Sequence, residues 1–315
     1  MTAINTNLPM RILVTGGAGF IGAPTVACLL SAGHSVTVLD NLSNSQLNHL
    51  PTHENLRFFK GDICDSVALD AATDGIDLVL HLAAQVSVSA SIAAPLNSTN
   101  VNVIGFLTVL EAVRRKQIKR LVYASSAAVY ADASHGCQAL TECAATLPAS
   151  PYGVEKLIND EYAKLYAKLY GLSILGLRYF NVYGACQQAS EYAGVLTQFA
   201  SKIHADETLI VFGDGMQSRD FIHVSDVAKL NFRALFSNAV GVLNVASGHS
   251  ISLNKIIAMM AEIAGISPTV QHAPARPGDI RHSRADIAQL RQSLGPIDGL
   301  GIREGLAQLL ELKSA

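Results

Sequence analysis

The chain has 315 residues, half of them hydrophobic, with 23 basic and 25 acidic side chains, a formal net charge of -2 and a pI near 6.5. That length fits one large domain or two smaller ones. The balanced charge speaks against a nucleic-acid or membrane-surface partner.

Five cysteines (Cys28, Cys64, Cys137, Cys143 and Cys186) form no CxxC pair and no Cys/His cluster with metal-ligand spacing. We therefore expect no metal, and reduced thiols as in a cytoplasmic protein. The segment through Pro9 lacks the basic and apolar regions of a signal peptide, and no apolar run has the length of a membrane span.

Arg11 to Thr15 reads as a buried strand. Gly16-Gly17-Ala18-Gly19-Phe20-Ile21-Gly22 follows it, and an apolar helix runs from Pro24 to Leu30. Glycines at 16, 19 and 22 permit a tight turn and close approach to a pyrophosphate, with the helix N-terminus supplying N–H groups. The next strand, Ser35 to Leu39, ends at Asp40, whose carboxylate can accept hydrogen bonds from both ribose hydroxyls. No arginine follows in residues 41–45 to hold a 2′-phosphate, which favours NAD over NADP.

The alternation continues. Leu56 to Lys60 is a strand that leads into Gly61-Asp62-Ile63. Asp77 to Leu82 is another, and the small residues at its end, in His81-Leu82-Ala83-Ala84, let a cofactor lie close to the backbone. His81 reads as a packed strand residue rather than a base. Asn97 to Arg115 reads as one long helix with Val103, Phe106, Leu107 and Leu110 inside. Arg120 to Ala124 is a central strand ending at Ser125-Ser126, where a serine can bond a substrate hydroxyl or keto group.

Ser150 and Pro151 then open a helix as N-cap and first residue, and Gly171 closes it. Tyr152 and Lys156 lie on one face of it, about one turn apart. Positive charge near the Tyr152 hydroxyl favours the phenolate. A fall of roughly three units from the reference of about 10 takes about 4 kcal/mol, which Lys156 and a cationic nicotinamide would supply together. Tyr152 is then a general base near neutral pH.

Ser173 to Tyr179 is a further strand. Beyond it the alternation loosens, so we expect a dinucleotide-binding Rossmann domain over 1–179. A smaller α/β substrate domain then occupies most of 180–315, with segments free to cross back. Phe221 to Val224 and Val242 to Ala246 read as short strands, Leu253 to Ala264 and Asp286 to Leu294 as helices. Pro268, Pro274 and Pro277 mark connecting loops. The fold class is α/β, a doubly wound parallel sheet.

These residues resemble the extended short-chain dehydrogenases/reductases, and among them the NAD-dependent nucleotide-sugar epimerases of the UDP-glucose 4-epimerase type. The matching motifs, in family order over nearly the whole chain, begin with Thr15 to Gly22, Asp40-Asn41-Leu42, Gly61-Asp62-Ile63 and His81 to Ala84. They continue with Ser125 to Tyr130, Tyr152 to Lys156 and Arg178 to Gly184. The last are Gly213-Asp214-Gly215, Arg219 to Val224 and Arg276-Pro277-Gly278-Asp279.

The resemblance implies that Ser126, Tyr152 and Lys156 are catalytic, with Asn100 near the nicotinamide. It implies cofactor contacts from Gly16, Gly19, Phe20, Ile21, Gly22, Asp40, Asn41, Asp62, Ile63, Leu82, Ala83, Ala84 and Tyr179. Asn181, Phe212, Arg219, Arg276 and Asp279 would hold a nucleoside diphosphate, a task that suits guanidinium groups. Departures are Ala131 in place of glycine, Ala23-Pro24 at the first helix, and no basic residue over Val86 to Ser91. Ala127 and Ala128 stand where the dehydratase branch carries acidic residues.

The implied activity is 4-epimerisation of a UDP-sugar through a 4-keto intermediate, in polysaccharide biosynthesis. The alternatives are a 4-keto-sugar reductase or dehydratase, and a non-enzymatic NAD-binding relative. Ser283, four residues past Asp279, stands where some relatives carry a bulky tyrosine. Either it leaves room for an N-acetyl group at C2, or it caps a helix entering at Arg284-Ala285-Asp286. The apolar helices near 100–115 and 153–170 imply a homodimer.

Overall fold

Ile12, Leu13 and Val14 are wholly buried, and their side chains alternate between two separate cores. That is how a strand covered on both faces reads. The computed structural model describes residues 8–130, 138–184, 194–275, 280–297 and 299–311.

The chain opens with β1 (Arg11–Thr15), α1 (Gly22–Ser31), β2 (Ser35–Asp40), β3 (Leu56–Lys60), α2 (Ser66–Ala72) and β4 (Leu78–His81). It continues through α3 (Val88–Ala93), α4 (Pro95–Thr99), a π-helical stretch at Asn100–Ile104, α5 (Gly105–Arg115), β5 (Arg120–Ser126), α6 (Pro151–Tyr170) and β6 (Ile174–Tyr179). The rest holds β7 (Asn181–Tyr183), α7 (Val195–His204), β8 (Leu209–Phe212), β9 (Ser218–His223), α8 (Val224–Phe236), β10 (Gly241–Val245) and β11 (Ser250–Ser252). It ends with α9 (Leu253–Ala264), β12 (Val270–Ala273), α10 (Ala288–Leu294) and α11 (Ile302–Glu311).

Seven strands form one sheet in the order β10-β6-β5-β4-β1-β2-β3, and every pairing in it is parallel. One core, built on Val26, Leu29, Leu230 and Leu235 of α1 and α8, covers one face. Phe106, Val109 and Leu110 of α5 anchor the core on the other. This is the expected doubly wound α/β sheet, so the C-terminal ends of β1, β4, β5 and β6 open on one edge. A smaller unit follows: a three-stranded sheet, β11-β9-β7, and the pair β12-β8, packed with α7, α9 and α11 around Leu196, Phe199, Ile256 and Leu306. No described helix is long and apolar enough to cross a membrane.

The short strand expected near Val242 to Ala246 is β10, a segment that crosses back to the large sheet beside β6. One expectation changes. The long helix from Asn97 to Arg115 is interrupted by the π-helical stretch. Such wide turns re-aim side chains, often at functional sites. Here Asn102 points inward while Asn100 stays exposed.

One buried ion pair ties the sheet to α6. Arg178 Nε on β6 donates to Asp160 Oδ2 on α6 at 2.9 Å, and Tyr123 on β5 donates to Asp160 Oδ1 at 2.9 Å. The Arg178 guanidinium also donates to Tyr130 Oη at 2.7 Å and to the Glu142 carbonyl at 3.0 Å. Removing one member of such a pair leaves an uncompensated buried charge, at about 3–5 kcal/mol.

Candidate active site

The helix carrying Tyr152 is set by local chemistry. Ser150 Oγ accepts from the Gly153 N–H at 3.2 Å, and Pro151 occupies the first turn. Gly171 closes the helix in the left-handed region at φ 67. Gly153 has no room for a side chain, since a Cβ would stand 2.6 Å from the Ala128 carbonyl. That contact presses α6 against the 3-10 turn after Ser126 and brings Tyr152 to the end of β5. Tyr152 N also donates to Ser91 Oγ at 3.2 Å.

A cavity of about 230 Å³ opens there. Its wall gathers Ser126, Tyr152, Tyr179, Asn181, Arg219 and Ser283, six expected site residues from five separate segments. Ala127, Ala128, Val88, Gln138 and His282 also line it. Asn181 Nδ2 donates to the Asp220 carbonyl at 3.1 Å, which fixes it beside Arg219. The Asp220 side chain, fully buried, accepts from Ser247 Oγ at 2.7 Å and from the N–H groups of Ser247, Gly248 and Ala285. It thereby binds β9 to the segment that carries Ser283.

Ser283 is 7% exposed and its N–H donates to the Ser218 carbonyl at 3.0 Å. No helix begins at Arg284. The next one, α10, starts at Ala288, where Asp286 accepts from the Ala288 N–H. The helix-capping alternative for Ser283 therefore falls, and the cavity wall is where it sits.

Lys156 lies behind the cavity, 2% exposed, and its Nζ donates to the Ala124 carbonyl at 2.9 Å. The ammonium is 5.8 Å from the centre of the Tyr152 ring. Burial pushes Lys156 down to about 8, against the pull of Asp160 and Glu155. Lys156 therefore keeps its proton at pH 7.

The expectation for Tyr152 needs correction. Burial raises its pKa above the ordinary value, a hydrogen bond with Ser126 opposes the rise, and the charge of Glu155 adds to it. With no cationic nicotinamide beside it, the charge of Lys156, 5.8 Å from the ring centre, does not reverse this rise. In the protein alone Tyr152 is a neutral phenol at pH 7. His81 is the packed residue expected, with Nδ1 2.7 Å from Thr15 Oγ1. Burial, with Lys156 nearby, pushes it down to about 3.

A dinucleotide fits the neighbouring strand ends. Gly16 turns at φ 68, and a Cβ there would sit 2.6 Å from Ala83 N, so the turn passes directly over Leu82-Ala83-Ala84. The N-terminus of α1, at Ile21 and Gly22, has no side-chain cap and no acidic residue in its first turn. Ala23 N donates to the Gly19 carbonyl at 2.9 Å, which leaves the N–H groups of Ile21 and Gly22 to meet phosphate. Gly19 and Phe20 complete the turn, where Gly19 N donates to the Gly16 carbonyl at 3.1 Å. Asp40, 7% exposed, accepts from Ala18 N, Leu42 N and Ser45 Oγ. Those bonds fix its carboxylate at the end of β2.

Asn41 Nδ2 donates to Asp62 Oδ2 at 2.9 Å. Burial works to raise the Asp62 carboxyl, but that bond and the Cys64 N–H hold it low. Ile63 is buried against Gly105. Gln85, just past β4, has a buried side-chain oxygen with no partner in the described structure.

Some expected residues lie apart. Asn100 Nδ2 faces Cys64 Sγ at 3.7 Å, beside the Asp62 segment and off the Tyr152 cavity, whereas Asn102 in the same π-helical stretch points inward to Glu155. Phe212, at the end of β8, is not on the cavity wall, and its carbonyl accepts from Gln217 Nε2 at 2.7 Å. Tyr179 lines the cavity but gives its hydroxyl to Asn231 Oδ1 at 2.7 Å. Arg276 and Asp279 fall outside the described residues.

Sequence reasoning passed over Glu155 and Asn102. Glu155 is 2% exposed and accepts from Asn102 Nδ2 at 2.6 Å, Ser98 Oγ at 2.8 Å and Thr99 Oγ1 at 3.1 Å. A signal was present, since an acidic residue next to an inward-facing lysine on one helix has to be solvated or paired.

The sequence pattern of the NAD dependent epimerase/dehydratase family matches residues 12–246. The chain is 35% identical over 301 residues to the UDP-glucose 4-epimerase of Corynebacterium glutamicum, covering 91% of this chain and 90% of that one. It superimposes at a TM-score of 0.92, with 37% identity and coverage of 96% and 97%, on the UDP-N-acetylglucosamine 4-epimerase of Methanobrevibacter ruminantium in complex with UDP-N-acetylmuramic acid. For the UDP-glucose 4-epimerase of Thermus thermophilus in complex with NAD the values are 0.89, 35%, and 96% and 98%.

Asp40 generates a selectivity prediction. A 2′-phosphate would face its fixed carboxylate, and like charges repel in a buried site. Calorimetric titration of the cofactor-free protein should show NAD tighter than NADP by roughly tenfold or more; equal affinities would contradict this role for Asp40.

Proposed function

The chain belongs to the NAD dependent epimerase/dehydratase family, and on that premise we propose that it is a UDP-sugar 4-epimerase whose acid-base group is Tyr152. The observation that carries this reading is the shared cavity: Ser126 and Tyr152 face Asn181, Arg219 and Ser283, with Lys156 buried behind them and the dinucleotide cradle at the adjoining strand ends.

A bound NAD would supply reversible hydride acceptance at C4 of the sugar, so the net reaction would be redox-neutral. With the charges of Lys156 and of a bound cationic nicotinamide together favouring its phenolate, Tyr152 would take the 4-hydroxyl proton and later give it back. Ser126 bonds the same oxygen and keeps it within reach. Lys156 holds positive charge behind the phenol, and its bond to the Ala124 carbonyl fixes that charge in place. Arg219 would meet the diphosphate with Asn181 beside it, and Arg276 and Asp279 belong to the same proposal. Gly16, Gly19, Phe20, Ile21, Gly22, Asp40, Asn41, Asp62, Ile63, Leu82, Ala83 and Ala84 would line the cofactor. Ala127 and Ala128 on the wall give no acidic group for dehydration, which favours epimerisation.

We assign cofactor binding to the seven-stranded unit, mainly residues 1–179 with β10 returning to it, and substrate binding mainly to 180–315. A cytoplasmic enzyme supplying sugars for polysaccharide biosynthesis is the setting we propose for this chemistry.

The pocket reading of Ser283 predicts breadth. With a serine hydroxymethyl on the wall, UDP-N-acetylglucosamine should be turned over with kcat/KM within about tenfold of UDP-glucose. Ser283→Tyr should remove the N-acetylated activity selectively, because overpacking costs about 1–3 kcal/mol. Mass spectrometry and NMR of products from both sugars decide it; equal loss on both would defeat the pocket argument.

The helices α3 to α6 expose Ile92 (62%), Leu96 (84%), Ile104 and Val154, apolar surface that a second copy of the chain would cover. Light scattering at micromolar concentration should give about twice the 33.3 kDa chain mass; a monomer would rule the homodimer out.

A further inference from the structure

Glu155 is the one residue between Tyr152 and Lys156 that is both charged and buried. Its carboxylate accepts three hydrogen bonds, all from side chains 53 to 57 residues earlier in the chain. Asn102, the donor at 2.6 Å, also donates to the Gln85 carbonyl at 2.8 Å and accepts from the Gln85 N–H at 2.9 Å. One amide therefore joins the loop past β4 to the helix turn that carries Tyr152. Ser91, which accepts from Tyr152 N, pins the same turn from α3. A carboxylate taken out of water is stable only with its lone pairs filled, and among the described residues Glu155 meets that condition through this segment.

We propose that Glu155 is a positioning residue for the Tyr152–Lys156 pair: clamped by Ser98, Thr99 and Asn102, it fixes the helix turn that carries both and sets a negative charge against them. The inference rests on the reading of Tyr152 as the acid-base group.

The charge acts on both partners in the same direction. It resists the burial that lowers Lys156, and it adds to the burial that raises Tyr152. The other charged or titratable groups around the pair are Asp160 on α6, His81 on β4 and, beyond Asp160, Tyr123 on β5 and Arg178 on β6. Arg178 and Tyr123 hold the two oxygens of Asp160, and His81 is neutral in the working range. Glu155 is thus the charge beside the pair that is held from outside the sheet. Without it, Lys156 gives up its proton at lower pH, and Tyr152 also ionises at lower pH. Both limbs of the activity profile then move towards acid.

The test is the pH dependence of kcat and KM for UDP-glucose epimerisation by the NAD-loaded enzyme, wild type against Glu155→Gln. The expected result is a kcat lower by roughly tenfold or more, a KM within about twofold, and an optimum displaced to lower pH by roughly one unit. Glu155→Asp, which keeps the charge, should return the optimum to the wild-type position. An optimum that stays in place in Glu155→Gln, or moves towards alkali, overturns the inference, because a purely structural role scales the profile without displacing it. Should Glu155→Gln fail to fold, Glu155→Ser removes the same charge in a smaller side chain and must show the same displacement. Tyr152→Phe in the same assay separates the two failures. Near-normal turnover would remove the acid-base reading and this inference with it, whereas an inactive Tyr152→Phe beside an undisplaced Glu155→Gln profile would remove the inference alone.

Discussion

An ammonium that is 2% exposed persists only where acceptors and opposite charges surround it, and the rest of the site depends on how Lys156 meets that demand. Its first partner is the Ala124 carbonyl, one of the last on β5, so the end of the central strand sets its position. Its second is Asp160, one helical turn on, which Arg178 and Tyr123 hold from β6 and β5. Its third is Glu155, held from α4 and the π-helical stretch. Each partner recruits a different layer of the fold, and together they leave α6 little freedom to rotate or slide. Tyr152, one turn earlier on the same face, inherits that rigidity.

The same economy governs the cavity's far side. Asp220 saturates its carboxylate with donors from the loop after β10 and from Ala285. Arg219, next to it, is carried to the wall by a strand that cannot move without stranding a buried charge. The segment bearing Ser283 is tied to that carboxylate and to β9. The distance between Tyr152 and the wall that holds Arg219 and Ser283 is therefore fixed by one carboxylate on each side, Glu155 and Asp220, neither of which lines the cavity.

The sequence carried most of the scaffold because its signals are local. The apolar run Ile12 to Val14, the glycine turn, Asp40 at a strand end, and Ser150-Pro151 before a periodic apolar face each depend on residues a few positions apart. What it did not carry depends on partners far away. The three donors of Glu155 come from a helix more than fifty residues earlier. The inward aim of Asn102, beside an exposed Asn100, goes with the wide turn of the π-helical stretch, which no apolar spacing encodes. The rise of Tyr152 comes from burial, and the spacing of Tyr152 and Lys156 holds no information about depth. The return of β10 to the large sheet is likewise a matter of topology, because a short strand reads the same in either sheet.

The central proposal is that Tyr152, with the charge of Lys156 behind it, would exchange a proton with the sugar's 4-oxygen while the hydrogen on C4 never leaves the enclosed site. The most direct test follows UDP-glucose carrying deuterium at C4, incubated with the purified NAD-containing enzyme and no further cofactor, with products read by mass spectrometry and NMR. The account predicts the C4 epimer with the deuterium still at C4. Label lost to water, or turnover only when reduced cofactor is supplied and consumed, would contradict it.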